Sequence, residues 1–190
     1  MEGINWAIKE RKYSEEFNRT LSKISSRDIP RIFISYQRID QKYAEEVAEY
    51  IRLKKFDLYF DIEDNDLRIY NQNNNPREVT DSIRNALNQS SHMLVIVSPD
   101  TCTSPWVPFE IGYAYEDKAD NLKLLRHKGI SKDKLPSYMR IKELLNGTKS
   151  LDIFLRSIQL QYPIYENTYS EIKTFSAYND NPLNKYLDNE

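Results

Sequence analysis

Glu110 is the residue of this chain whose type and setting point to chemistry. It lies in Ser104-Pro105-Trp106-Val107-Pro108-Phe109-Glu110-Ile111-Gly112-Tyr113-Ala114-Tyr115, an aromatic-rich stretch just beyond the apolar run His92-Met93-Leu94-Val95-Ile96-Val97-Ser98. Pro105 and Pro108 are tolerated only near a helix's first turn, so the spacing predicts a helix beginning between Ser104 and Val107. At about 100° per residue, Val107, Ile111 and Ala114 share one face, which should be the core face. Trp106, Phe109, Glu110 and Tyr113 lie around the adjacent face. Glu110 then sits one to two turns inside, near the carboxyl end of the preceding strand, where open α/β sheets bind ligands. A carboxylate among aromatic rings can hold a ribose and offset an oxocarbenium-like cation. It can equally be a helix acid paired with a Lys or Arg, and these residues alone leave both readings open.

Other residue types narrow the field. The 4 glycines form neither GxGxxG nor a P-loop, which argues against a dinucleotide bound on a glycine turn. The run Asp61-Ile-Glu63-Asp64-Asn65-Asp66 resembles a calcium loop. Its sixth position, however, is Asp66 where the turn needs Gly, and its twelfth is Gln72 in place of Glu. His92 and His127 stand apart from any Cys or paired acid at zinc spacing, and His92 at a strand start reads as a structural residue. Cys102, the 1 cysteine, has no His near it in sequence and fits a reducing compartment. A receiver domain would need an acidic pair after the first strand, where this chain has Ser35-Tyr36-Gln37.

Lys+Arg 27 against Asp+Glu 29 leaves a net charge of −2, with no electrostatic reason to expect nucleic acid or an acidic membrane. No apolar run approaches the roughly 20 residues of a membrane span, and the first residues do not resemble a signal peptide. The expectation is a soluble, cytoplasmic protein without a metal.

The elements that must position Glu110 follow from hydrophobic period. A length of 190 residues suits one domain with appended structure. Residues 1–28 read as a helical arm with the stripe Phe17, Leu21 and Ile24. Arg31-Ile-Phe-Ile-Ser-Tyr36 reads as a buried strand. Asp40 is a plausible helix N-cap before Tyr43, Val47, Ala48 and Ile51. Phe56-Asp-Leu-Tyr-Phe-Asp61 alternates as a second strand. Residues 63–76 read as a long loop, of the kind that is functional or disordered. Val79, Ile83 and Leu87 mark a further helix, 92–98 a strand, and Leu122-Lys-Leu-Leu125 a fourth strand. Leu151, Phe154, Leu155 and Ile158 mark a closing helix. The alternation argues for an α/β fold with a parallel sheet covered on both faces. Residues 161–190 form a tyrosine-rich tail (Tyr162, Tyr165, Tyr169, Tyr178, Tyr186) expected to pack loosely over the domain.

Four segments in order and spacing carry a resemblance: Ile32-Phe-Ile-Ser-Tyr36, Phe56-Asp-Leu-Tyr-Phe-Asp61, Met93-Leu-Val-Ile-Val-Ser-Pro99, and Ser104-Pro-Trp106 with Glu110. Over residues 29–160 the chain resembles a Toll/interleukin-1 receptor (TIR) domain. The resemblance implies a flavodoxin-like sheet of five parallel strands flanked by helices. Residues 62–78 would be the loop that mediates self-association in the family and can shape the active site. The family holds adaptors that only assemble and enzymes that cleave NAD⁺. The enzymes carry a glutamate four residues after a tryptophan, and Trp106 and Glu110 match that spacing.

The resemblance implies Glu110 as the catalytic residue at the ribose next to nicotinamide. NAD⁺ would be substrate, with no cofactor or metal, because nicotinamide leaves as a neutral base. Phe33, Ser35, Tyr36 and Arg38 would line the cleft. Arg38 would pair either with the pyrophosphate or with a surface acid. Asp61 and Asp66 would bind ribose hydroxyls or stabilise the loop.

Two departures stand out: Trp106-Val107 replaces the frequent Trp-Cys, and the Asn-rich 68–77 loop lacks the Arg-Asp…Pro-Gly pattern of animal adaptors. The form resembles short bacterial TIR proteins of the Thoeris antiphage type, which make a cyclic or conjugated ADP-ribose messenger for a separate effector protein. The alternatives are a non-catalytic TIR interaction module and a nucleoside deoxyribosyltransferase-like enzyme.

Overall fold

The parallel sheet expected from the strand–helix alternation is present in the computed structural model, which describes residues 3, 5–6, 30–60, 75–162 and 181–188. The stripe Phe17, Leu21 and Ile24, the residues Asp61 and Asp66 with most of the 62–78 loop, and Tyr165, Tyr169 and Tyr178 lie outside the described residues. Strands β1 (Arg31–Ser35), β2 (Asp57–Tyr59), β3 (His92–Val97), β4 (Leu122–Arg126) and β5 (Glu143–Leu145) form one 5-stranded sheet in the order β2-β1-β3-β4-β5. Every pairing is parallel. The helices are α1 (Gln41–Leu53), α2 (Pro76–Asn88), α3 (Val107–Lys118), the short α4 (Ser137–Arg140) and α5 (Thr148–Gln161). β5 is a strand that the residue pattern alone does not single out. Three residues after a four-residue helix carry too little period to read.

Alternation along the strands divides the interior into two layers. Ile32 and Ile34 of β1 and Leu94 and Ile96 of β3 face Val47, Ile51, Leu151, Leu155 and Ile158 of α1 and α5. Phe33, Met93, Val95 and Val97 face Val79, Ile83 and Leu87 of α2 and Val107, Ile111 and Ala114 of α3. β3 is therefore buried on both faces along its whole length, which is why it reads as an unbroken apolar run. Among the described residues no helix is long and apolar enough to cross a membrane.

Both ends of the described chain are built into this frame. Gly3 and Trp6 donate backbone N–H groups to the Arg52 and Leu58 carbonyls at 2.9 and 2.8 Å. Asn5 forms a parallel bridge with Leu58, and its side chain holds Phe60 from both sides: Nδ2 donates to the Phe60 carbonyl at 3.2 Å, and the Phe60 N–H donates to Oδ1 at 3.1 Å. Trp6 Nε1 donates to Asp57 at 2.8 Å, and the Arg31 guanidinium lies over the indole, 3.4 Å from its centroid. The segment thus covers the exposed edge of β2, a common way to block unwanted strand pairing.

At the other end, 181–188 is less loose than its sequence suggests. Leu183 and Leu187 are fully buried, and Tyr186 stacks on Tyr43 with centroids 4.5 Å apart.

Candidate functional site

In the order 2-1-3-4-5 the chain runs outward from β1 to one side and from β3 to the other, so a crevice opens beyond the carboxyl ends of β1 and β3. Ser35 ends β1 in register with Val95. It lies two residues past Phe33 and therefore on the α2/α3 side of the sheet. Ser104 caps the approach to α3, its Oγ accepting from the backbone N–H groups of Trp106 and Val107 at 3.3 Å each. The helix begins at Val107 with Pro108 in its first turn, so the interval expected from the prolines is the one observed.

Val107, Ile111 and Ala114 are buried, as the helical period requires, and Glu110 is carried to the sheet edge beside them. Only 8% of Glu110 is exposed, and Ser35 donates its hydroxyl proton to Glu110 Oε2 in a short hydrogen bond. Glu110 also stands in the first turn of α3, where the partial positive charge of unpaired backbone N–H groups favours a carboxylate. A buried carboxyl group is thus held at the ends of β1 and α3, between a strand and a helix.

Aromatic rings cluster along the same helix. Trp106 is half-buried and meets Phe109 edge to face at 6.1 Å; Phe109 in turn lies against Tyr113 at 6.2 Å. Tyr113 Oη donates to Asn88 at 3.0 Å and so ties α3 to α2. Phe33 is 3% exposed and stacks on Tyr59 of β2 at 5.4 Å. Tyr36 points to the other layer, against Phe60 at 5.1 Å, and Arg38 is exposed in the 3-10 turn Arg38–Asp40. Of the expected site residues, Ser35 and Glu110 meet directly; Trp106 precedes the helix that carries Glu110, and Phe33 lies on the Ser35 face of β1. Tyr36 and Arg38 flank the same strand end, while Asp61 and Asp66 lie outside the described residues.

The crevice has a second polar tie. Asp40 occupies the residue before α1, but its side chain does not cap that helix; it accepts from Ser98 Oγ, just past β3, at 2.5 Å. Ser98 Oγ also accepts from the backbone N–H groups of Asp100 and Thr101 at 3.0 and 3.2 Å. Burial raises the Asp40 carboxyl above its ordinary pKa, opposed by the Ser98 hydrogen bond. Next to it, His127 lies edge-on to Tyr43 at 5.5 Å, and its Nδ1 accepts from the Gly129 N–H at 2.9 Å. Burial pushes its pKa down. Burial pushes the Cys102 thiol up, the opposite of what a nucleophilic cysteine requires. No local sequence signal links Asp40 to Ser98, because the two are brought together only by the β1–β3 pairing.

A family model for the TIR domain matches residues 32–153. Among solved structures, a metazoan TIR-STING receptor from C. gigas in complex with 2',3'-cGAMP is similar with a TM-score of 0.53. It is 21% identical over 67% of this chain and 38% of that one. A second structure of a metazoan TIR-STING receptor from C. gigas has a TM-score of 0.48 at 21% identity, covering 67% of this chain and 39% of the other. The chain therefore spans under two-fifths of the length of these receptors, and the likeness is one of fold. No curated protein matches this chain.

Proposed function

We propose, from the premise that this chain belongs to the TIR domain family, that it is an enzyme that cleaves the nicotinamide–ribose bond of NAD⁺ with Glu110 as its catalytic residue. The observation that carries this reading is a buried glutamate beside the carboxyl ends of β1 and β3, hydrogen-bonded to Ser35, on a helix that also carries the Trp106–Phe109 ring pair at its start.

The bond to be broken joins ribose to a cationic pyridinium. Its electron pair leaves with nicotinamide, which departs neutral, and the positive charge passes to the ribose. A carboxylate fixed beside that carbon in a site of low dielectric stabilises the developing cation with little reorganisation. The Ser35 hydroxyl and the first turn of α3 hold the Glu110 side chain in place. The Trp106–Phe109 pair provides apolar faces for the planar nicotinamide and excludes water. Water, a hydroxyl of the ADP-ribose itself, or another nucleophile then takes the ribosyl carbon, giving a linear, cyclic or conjugated product. We assign that product a signalling role toward a separate effector protein in antiphage defence, with self-association through the 62–78 loop assisting the site.

The test incubates the protein with NAD⁺, both dilute and self-associated, and resolves products by chromatography beside Glu110→Gln. Nicotinamide release is expected, falling roughly 100- to 1,000-fold in Glu110→Gln, as for loss of a transition-state electrostatic partner. No release even with self-associated protein or infected-cell extract overturns the enzymatic reading in favour of an assembly module. Undiminished release by Glu110→Gln overturns the assignment of the site, and deoxyribosyl transfer between bases moves the protein to the transferase class.

A further inference from the structure

The geometry points to Ser35 as a positioning residue: its hydroxyl orients and polarises the Glu110 carboxylate instead of binding substrate. This rests on the reading of Glu110 as the catalytic group, but the hydrogen bond itself does not.

A serine hydroxyl has one proton to give. In this structure that proton goes to Glu110 Oε2, across 75 residues of sequence, and both side chains are buried. Ser35 is only 1% exposed, and its backbone is locked in the ladder opposite Val95. The donor therefore comes from the stiffest part of the fold, the inner pair β1–β3, while the acceptor comes from the first turn of a helix. Of the two groups Ser35 is the more deeply buried, and its hydroxyl proton is already committed to the carboxylate. Hydrogen bonds to an ionised acceptor are short and about twice as strong as neutral ones, and they favour the charged form. Removing the donor leaves an equally buried acid that is less well held and more easily protonated.

Chain direction explains why a serine suits this position. Phe33 and Ser35 share a face, and Ser35 is the last strand residue before the chain turns into Tyr36 and the 3-10 segment. A larger apolar side chain there would occupy the space that Glu110 Oε2 uses. Alanine would fit but donate nothing.

The test compares wild type, Ser35→Ala, Ser35→Thr and Glu110→Gln. Circular dichroism melts confirm that each folds. Ser35→Ala is expected to lower kcat for NAD⁺ cleavage roughly 10- to 100-fold, the value of one hydrogen bond to a charged group. KM should stay within about twofold, and the acidic limb of the pH–rate profile should move to higher pH. Ser35→Thr retains the hydroxyl and should restore most of the rate.

A second readout needs no catalysis. With ¹³C-carboxyl-labelled glutamate, the resonance missing from Glu110→Gln is followed through a pH titration, and in Ser35→Ala it should titrate at higher pH than in wild type. An unmoved titration, or a raised KM with unchanged kcat, overturns the positioning role. A moved titration in a protein that never releases nicotinamide upholds the Ser35–Glu110 coupling and overturns the proposed NAD⁺ chemistry, so the two failures are distinct.

Discussion

Acidification should destabilise this protein through His92. The residue opens β3 and is 1% exposed. Its ring lies edge-on to Phe154 at 6.0 Å and Tyr162 at 6.1 Å, and Nδ1 is 2.8 Å from Ser91 Oγ. Burial first, then the positive charges of Lys123 and Lys118, lower its pKa from 6.5 to about 4. A depressed histidine pKa means that the unfolded chain binds the proton more readily than the folded one. The neutral ring's contribution is therefore complete above pH 6.5 and is lost as pH falls toward 4. The gap of about 2.5 pH units at 1.36 kcal/mol each corresponds to about 3 kcal/mol. That is a large share of the roughly 5–15 kcal/mol by which domains are stable.

Urea unfolding from pH 7.5 to 4, for wild type and His92→Asn, isolates this effect. Asn retains a polar atom near Ser91 but does not titrate. Between pH 6 and 4.5 the wild type should lose stability faster than His92→Asn, by up to about 1.4 kcal/mol per pH unit. Two parallel curves would overturn this account of His92, because they would mean that the ring takes up its proton in the folded protein as readily as in the unfolded chain.

Two further outcomes follow from the ties that hold the crevice and the sheet edge. A Cβ on Gly3 would lie 1.6 Å from the Phe56 carbonyl oxygen, so Gly3→Ala should displace the Gly3–Trp6 segment. Both cores would stay intact, and amide exchange at Phe60 should quicken by at least tenfold, read by hydrogen–deuterium exchange. Ser98→Ala deprives the half-buried Asp40 carboxylate of its donor and two backbone N–H groups of their acceptor. The urea midpoint should fall by the equivalent of about 1–3 kcal/mol with an unchanged slope.

Much of the frame can be read locally. Hydrophobic period is a property of neighbouring residues, so the strand at 92–97, the helix on Val79, Ile83 and Leu87, and the core face Val107–Ile111–Ala114 are visible in the chain itself. The prolines at 105 and 108 bracket the start of the helix that carries Glu110, and the four short segments in register point to the family over residues 29–160, of which the family model matches 32–153.

What the sequence could not decide is which distant groups meet. That Glu110 is buried and takes a hydrogen bond from Ser35, 75 residues away, is set only by the parallel crossovers. Asp40 looked like a helix cap and instead binds Ser98; Tyr36 looked like a neighbour of Ser35 in the cleft and turns to Phe60 in the other layer. The tail looked loose, yet Leu183 and Leu187 complete a core. The physical reason is common to all four. Period and propensity act over one or two helical turns, whereas strand order, register and burial are set only when the whole chain has closed around two apolar layers. The identity of Glu110 and its place on a helix were determined by sequence; its buried setting and its partner were decided by tertiary structure.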